Sequence, residues 1–176
     1  MDPYQRLRKR EVYRNPWLGV EVHDIVHPTG TPGEHVLIDS PEATGVLVEE
    51  EGDFIFASQP RFGARADVVE VVKGGAEPDE SPLECAQREL REELGLVARR
   101  WEPLGIAFEI PSIMSGPVTL FLATGLERVD AEPEEIERIV PVKISVNDAF
   151  EAAKSGEISD AVTMAALLRY LLRRGD

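Results

Sequence analysis

The spacing of apolar residues predicts strands in the first half of the chain. Residues 18–22 and 34–38 are short extended segments separated by a turn rich in Pro and Gly, which predicts a β-hairpin. Residues 43–48 and 54–59 flank an acidic turn and predict a second hairpin with one buried face. A short β-branched strand is predicted at residues 68–72. The first half is therefore expected to consist mainly of β-structure.

A single well-marked helix follows. Ser81 is a suitable N-cap, Pro82 occupies the first helical position, and Glu84 completes a Ser-x-x-Glu capping box. Gly95 is placed to end the helix in the left-handed conformation. These signals predict a helix between Ser81 and Gly95.

The remaining segments mix strands and helices. Strands are predicted at residues 101–109, 118–124 and 139–144, and helices at 147–154 and 160–174. The last helix carries an apolar stripe that is expected to face the core, made of Ala161, Met164, Leu167, Leu168 and Leu171. Strands outnumber helices and do not alternate regularly with them, which predicts an α+β fold with a mixed sheet.

The N-terminal segment and the composition restrict the class of protein to which the chain can belong. Residues 1–15 are polar and basic, which suggests an arm or a leading helix, and without an apolar stretch no signal peptide is expected there. The 176 residues are 43% hydrophobic and 30% charged, a balance typical of one folded domain. No apolar run reaches the roughly 18 residues of a membrane span, so no membrane partner is expected. A single cysteine, Cys85, excludes an internal disulfide and is consistent with a reducing, cytoplasmic location.

The charge balance is strongly acidic. The chain has 19 Lys and Arg residues against 33 Asp and Glu residues, a net charge of −14. Such a surface repels phosphate backbones and argues against nucleic-acid binding. If the ligand is an anion, a divalent cation is the obvious group to neutralise both partners, although an acidic surface also serves solubility alone.

Three carboxylates lie on about one turn of the predicted helix. Glu89 and Glu93 are four residues apart and Glu92 lies beside them, so the three repel one another unless a hard cation such as Mg²⁺ binds. Gly74, at the end of the preceding strand, is expected to allow a sharp bend that brings a main-chain carbonyl close. Arg88 is spaced to orient the acidic row. The alternative is an ordinary solvated face, because Glu-rich helices are common.

The complete spacing decides between these readings. The pattern Gly-x5-Glu-x7-Arg-Glu-apolar-x-Glu-Glu-x-Gly-apolar resembles the Nudix box, and the chain matches it at Gly74, Glu80, Arg88, Glu89, Leu90, Glu92, Glu93, Gly95 and Leu96. The resemblance implies the Nudix fold, a mixed sheet between helices (an α/β/α sandwich), with an N-terminal β-hairpin extension.

The same resemblance assigns roles to residues of the box. It implies that Glu89, Glu92 and Glu93, with the main-chain carbonyl near Gly74, ligate Mg²⁺ or Mn²⁺, with more than one ion per active site. Glu93 and Arg88 are also counted among the catalytic residues, Arg88 as a support for the ligands. The implied reaction is attack of activated water on a phosphorus of a nucleoside diphosphate linked to another group.

Features outside the box are similar to the ADP-ribose pyrophosphatase subgroup. Pro111 lies fifteen residues beyond the end of the box, where the subgroup carries a proline. The likeness implies a homodimer built with an N-terminal domain, residues 1–42, beside a hydrolase domain, residues 43–176. Two departures concern the substrate: the chain has Ser112 where Pro-Gly often follows that proline, and Lys73 where the subgroup often has Ala.

The water-activating base and the substrate contacts are less sharply defined by the sequence. In the subgroup the base comes from the loop after the strand at 118–124, which points here to Glu132 and Glu134, with Glu135 as a further candidate; an exposed acidic loop is the alternative. The candidate substrate-binding residues are Arg61, Arg65, Glu70 and Pro111. The two arginines are suited to donate charge-assisted hydrogen bonds to phosphate oxygens, although each of these residues could instead serve only the surface or the packing.

Three functions remain open at this point. The leading hypothesis is Mg²⁺-dependent hydrolysis of ADP-ribose or a similar nucleoside diphosphate sugar to a nucleoside monophosphate and a sugar phosphate. The second keeps the chemistry but takes dinucleoside polyphosphates, NADH or another ADP compound. The third is a non-catalytic Nudix module that senses such a ligand, but the chain retains every box carboxylate, which argues against it.

Overall fold

The computed structural model describes residues 3–130 and 138–175. Within these ranges the strands are Gln5–Arg14 (β1), Gly19–Val26 (β2), Pro32–Asp39 (β3), Ala43–Glu50 (β4), Asp53–Arg61 (β5), Ala66–Glu70 (β6), Val72–Gly75 (β7), Leu96–Ala107 (β8), Val118–Arg128 (β9) and Val140–Ser145 (β10). The helices are Pro82–Leu94 (α1), Val146–Ser155 (α2) and Ala161–Arg174 (α3). The chain divides into two compact units, Met1–Pro41 with Phe108–Pro117, and Glu42–Ala107 with Val118–Asp176.

The first unit contains a three-stranded antiparallel sheet in the order β1-β2-β3. The predicted hairpin is confirmed as β2 and β3. The expectation of an arm or leading helix at residues 1–15 is wrong, because β1 pairs along almost all of β2. Every residue of β1 is exposed, so this strand has no buried face and leaves no apolar alternation in the sequence.

The second unit contains a mixed sheet in the order β10-β5-β4-β9-β8. Strands β4 and β9 are parallel and the other neighbours are antiparallel, which confirms the predicted α+β class. Strand β4 pairs with β5 only through residues 48–50, while residues 43–46 pair with β7. The single strand predicted at residues 68–72 is therefore two: β6 pairs with β5, and β7 carries the start of the box onto β4.

Helices cover both faces of this sheet, as an α/β/α sandwich requires. Helix α1 packs on one face through a core of Val46, Val48, Ile55, Ala57, Val72, Ala86, Leu90, Leu94, Leu96, Phe121 and Ala123. Helices α2 and α3 pack on the other face around Leu47, Phe54, Phe56, Val71, Leu104, Val118, Leu120, Ala149, Ile158, Val162, Ala166, Leu167 and Tyr170. None of the helices in the described ranges has the length and apolar composition needed to cross a bilayer.

The prediction that an apolar stripe of α3 faces the core is wrong for every residue of the stripe except Leu167. The buried positions are Val162, Thr163, Ala166, Leu167 and Tyr170, whereas Met164, Leu168 and Leu171 are exposed. Polar contacts explain the rotation of the helix. Arg169 donates hydrogen bonds to the carbonyl oxygens of Leu104 and Ile106 on β8, and Thr163 accepts one from the amide of Val71. These contacts fix the inward face, and an apolar pattern does not contain them.

Candidate active site

Helix α1 begins and ends where its capping signals predict. The Ser81 hydroxyl accepts a hydrogen bond from the amide of Glu84 at 3.3 Å, and the Glu84 carboxylate accepts one from the amide of Ser81 at 2.9 Å. Gly95 ends the helix with a left-handed φ of 61°. Buried Ala86 and Leu90 fix the rotation of the helix against the sheet, which in turn fixes where its carboxylates lie.

The three box carboxylates are largely enclosed. The side chains of Glu89 and Glu92 are 13% and 35% exposed, and Glu93 as a whole residue is 6% exposed. A freely solvated helix face would show much higher exposure at Glu89 and Glu93, whereas Glu92 stays partly open to solvent. Carboxylates withdrawn from water in this way need positive charge or hydrogen-bond donors close by.

Gly74 lies directly against Glu89. It is in the extended strand β7, opposite Thr44 of β4, and is not at the sharp bend that the sequence suggested. A Cβ atom at Gly74 would collide with the Glu89 carboxylate. The glycine is thus required for close approach of strand and helix, which places its backbone beside the acidic row.

Arg88 connects the candidate residues of the box. Its Nε and Nη2 atoms donate to the two carboxylate oxygens of Glu80 at 2.9 and 3.0 Å, and Nη2 donates to the carbonyl of Gly75 at 2.9 Å. Nη1 donates to Glu89 at 2.6 Å and to Glu92 at 3.0 Å. The hydrogen bonds from Arg88 hold the pKa of Glu80 below its usual range, and those to Glu80 and the other carboxylates raise the pKa of Arg88. Arg88 thereby fastens the middle of α1 to Glu80 before the helix and to the end of β7.

The donor chemistry of this site suits a hard divalent cation. Glu89, Glu92 and Glu93 offer carboxylate oxygens and Gly74 a carbonyl, the ligands that Mg²⁺ prefers, and Glu89 already packs on Gly74. In the part of the chain that the structure describes, no three Asp, Glu, His or Cys side chains are arranged to hold a metal ion, since Glu89 and Glu92 are turned to Arg88. A bound cation would neutralise the carboxylates of Glu89 and Glu92, which the Arg88 guanidinium now neutralises.

Arg61 and Glu70 form a partly buried ion pair on adjoining strands. Arg61 Nε donates to Glu70 Oε1 at 2.6 Å, and the Glu70 side chain is only 1% exposed while that of Arg61 is 39% exposed. The other carboxylate oxygen of Glu70 accepts from Lys73 Nζ at 2.9 Å. Glu70 is thus enclosed by two cations, and it is Arg61 whose guanidinium reaches solvent.

Lys73 and Asp160 form an ion pair that the sequence did not reveal. Lys73 Nζ lies 2.8 Å from Asp160 Oδ1, and Asp160 caps α3 by accepting from the amide and hydroxyl of Thr163. Burial lowers the pKa of Lys73, but the charges of Asp160 and Glu70 outweigh it and the net shift is upward. Burial raises the pKa of Asp160, but the charge of Lys73 and the hydrogen bonds from Lys73 and Thr163 together outweigh it, and the net shift is downward. The Asp-x-x-Thr spacing was the available signal, as an N-cap motif.

The other predicted residues lie in different surroundings. Arg65 is in the turn after β5, with a left-handed φ of 57°, and its amide donates to the carbonyl of Arg61 at 2.9 Å. Pro111 belongs to the first unit, where it lines a cavity of about 270 Å³ with His23 and His35. The base candidates Glu132, Glu134 and Glu135 lie outside the described residues.

Cys85 is buried beneath the box. Its thiol lies 3.4 Å from the hydroxyl of Thr44 and donates toward the carbonyl of Gly74 at 3.7 Å. Burial raises the pKa of Cys85 to about 11. The residue packs in the interior and has little thiolate character at neutral pH.

We therefore expect Cys85 to resist thiol reagents in the folded protein. With a pKa of about 11, only about 0.1% of the thiol is ionised at pH 8, and burial restricts access further. Labelling with a chromogenic disulfide reagent at pH 8 should be at least about 100-fold slower in buffer than in guanidinium chloride, where one thiol per chain should react. Stoichiometric labelling of the folded protein within minutes would contradict the burial of this side chain.

Comparison with known proteins agrees with this architecture. The family model described as "NUDIX domain" matches residues 39–173, and the chain belongs to this family. A second model, described as "Nucleoside diphosphate sugar hydrolase N-terminal domain", matches residues 4–36. The sequence resemblance to the Nudix family is confirmed, and the chain is a Nudix hydrolase.

Individual relatives extend over nearly the whole chain. The ADP-ribose pyrophosphatase of Bacillus subtilis (strain 168) is 29% identical over 168 residues, which cover 94% of this chain and 90% of the relative. The methanol dehydrogenase activator of Bacillus methanolicus is 24% identical with the same coverage. A solved structure described as "Crystal structure of ADP compounds hydrolase" superposes with a TM-score of 0.85 at 23% identity, covering 98% of this chain and 96% of the other. The last match shows a common fold.

Proposed function

We propose that this Nudix hydrolase cleaves the diphosphate bond of ADP-ribose or a similar nucleoside diphosphate sugar in a Mg²⁺-dependent reaction, giving a nucleoside monophosphate and a sugar phosphate. The observation that carries the proposal is the Gly74–Glu89 contact, with Arg88 bridging Glu80 to the acidic row. The full-length similarity to an ADP-ribose pyrophosphatase supports the choice of substrate class.

In this proposal the residues of the box form the cation site. Glu89, Glu92 and Glu93 hold Mg²⁺ or Mn²⁺ together with the Gly74 carbonyl. A bound cation lowers the pKa of water and neutralises charge on the phosphate oxygens. Arg88 remains on Glu80 and Gly75 and keeps the helix and the strand end at a fixed spacing.

Substrate contacts are proposed for the two arginines before the box. The guanidinium of Arg61 is bound to Glu70 while its side chain remains partly exposed, which suits a donor to a phosphate oxygen. Arg65 lies one turn further along the same hairpin. Glu132 and Glu134, as base and additional ligand, stay predictions, and so does the contact of Pro111 with the substrate.

The N-terminal region is proposed to serve assembly. The match of residues 4–36 to the N-terminal domain of nucleoside diphosphate sugar hydrolases supports a separate domain at residues 1–42, beside the hydrolase domain at 43–176. We propose that this domain forms a homodimer, and that the protein acts in the cytoplasm, where its single thiol stays reduced.

A substrate panel tests the proposed reaction. Purified full-length protein with Mg²⁺ is expected to release AMP from ADP-ribose with a kcat/KM at least about 10-fold above that for dinucleoside polyphosphates or NADH, because a relative that aligns with nearly the whole chain is an ADP-ribose pyrophosphatase. Chelation by EDTA should abolish the release, and added Mg²⁺ should restore it. The products are separated and quantified by liquid chromatography.

The other outcomes of the substrate panel distinguish the two alternative functions. Preferred turnover of a dinucleoside polyphosphate or of NADH would keep the chemistry and replace the substrate. Saturable binding of these compounds without any turnover would contradict the hydrolase and favour a ligand sensor.

A further inference from the structure

Two neighbouring residues of β7 serve opposite faces of the sheet. Successive side chains of a strand point to opposite sides, and the position of a Cβ at Gly74 is directed at Glu89 of helix α1. The side chain of Lys73 instead reaches Asp160, the N-cap of α3, at 2.8 Å. The ammonium group of Lys73 thus connects β7 to α3 on the face of the sheet opposite the candidate cation site.

The same ammonium group also supports the candidate phosphate donor. Lys73 Nζ lies 2.9 Å from Glu70, whose other oxygen binds Arg61. The order of contacts is Arg61, Glu70, Lys73 and Asp160, a row in which cation and anion alternate. Lys73 is the member that joins the pair beneath the phosphate donor to the cap of α3.

The contacts of Lys73 favour an indirect role in the reaction over direct binding of substrate. Its side chain is 15% exposed and its ammonium group already binds two carboxylates, those of Glu70 and Asp160, which are 1% and 14% exposed. Two of its three N–H donors are therefore engaged by carboxylates that are themselves largely buried. This arrangement favours an influence on the reaction through the groups that Lys73 holds.

We propose that Lys73 is a positioning residue of the hydrolase: it holds β7 in the place where Gly74 meets Glu89 and, through Glu70, aims the guanidinium of Arg61 at the diphosphate. The proposal rests on the proposed function. It also gives a physical role to one of the departures from the ADP-ribose pyrophosphatase pattern, the lysine before the first box glycine.

The first test removes the positive charge of Lys73 and keeps an unbranched apolar side chain in its place. Lys73→Met is expected to lower kcat/KM for ADP-ribose by about 10- to 100-fold at saturating Mg²⁺, the usual effect of losing a group that orients a ligand. KM should rise because Glu70, which holds Arg61, loses its second cationic partner. Lys73→Arg should recover part of the loss. The matched control is Lys143→Met, which also removes a lysine bound to two carboxylates, Glu50 and Asp53, but on β10; it should retain wild-type kinetics.

A double-variant cycle separates positioning from simple stability. If Lys73 acts on substrate binding through Arg61, then Lys73→Met should change KM much less in an Arg61→Ala background than in the wild type. A residue that only stabilises the fold would lower the melting temperature and leave KM unchanged in both backgrounds at a temperature where the protein is folded.

A charge-balanced double variant keeps the test decisive if Lys73→Met folds poorly. Lys73→Met with Asp160→Asn removes one cation and one anion and keeps a good N-cap residue on α3, so the chain should fold, and the kinetic loss should persist. Wild-type kcat and KM in Lys73→Met or in this double variant would overturn the positioning role. Absence of turnover by the wild-type protein across the substrate panel would instead overturn the proposed function, and this inference with it.

Discussion

Replacing Glu93 with Gln is expected to lower kcat by about 100-fold or more while the protein stays folded. Loss of groups that merely orient metal ligands commonly costs 10- to 100-fold, and Glu93 is proposed as a ligand itself. The amide has the shape of the carboxylate but no charge, so a residue that is only 6% exposed should keep its packing. Steady-state release of AMP from ADP-ribose, with Mg²⁺ varied, measures both kcat and the apparent affinity for the cation.

A second glutamate on the same helix gives the matched control for Glu93→Gln. Glu84 closes the capping box with Ser81, and Gln can fill the same position of that box. Glu84→Gln should therefore leave kcat within about twofold of wild type and the helix content unchanged. If Glu93→Gln were as active as Glu84→Gln, with both folded by circular dichroism, Glu93 would not be a metal ligand.

Local signals predicted the parts of the fold that local interactions determine. The bounds of α1 follow from Ser81, Glu84 and Gly95, whose capping contacts involve only residues close in sequence. The box spacing, from Gly74 to Leu96, was equally readable because consecutive segments present all of it: β7, a loop, α1 and the first residue of β8. Such features require no knowledge of distant partners.

The features that the sequence missed depend on contacts between distant segments. β1 is a strand because it pairs with β2, although none of its residues is buried. The inward face of α3 is set by Arg169 on β8 carbonyls and by Thr163 on Val71, residues 63 to 92 positions apart. Lys73 meets Asp160 across 87 positions. An apolar pattern records burial but not these pairings, so the row of charges behind the box could not be predicted.

The reason for Gly74 also depends on a distant side chain, and it leads to the second large expected effect. Gly74→Ala is expected to lower kcat/KM by about 10- to 100-fold, because the new methyl group would occupy the position of the Glu89 carboxylate and push that proposed ligand away from the strand. Overpacking of this kind also typically lowers the free energy of unfolding by about 1–3 kcal/mol. Enzyme kinetics with varied Mg²⁺, together with urea unfolding, measures both effects.

Gly63 provides the control, since a Cβ there meets nothing within 4 Å and its φ lies outside the left-handed region. Gly63→Ala should therefore keep wild-type activity and stability. The backbone of Gly74 is also outside the left-handed region, so alanine is not strained there by its conformation. Any loss specific to Gly74→Ala then reports the contact with Glu89 alone. Wild-type kinetics in this variant would mean that the strand and the acidic helix need not approach so closely, and the proposed cation site would have to lie elsewhere.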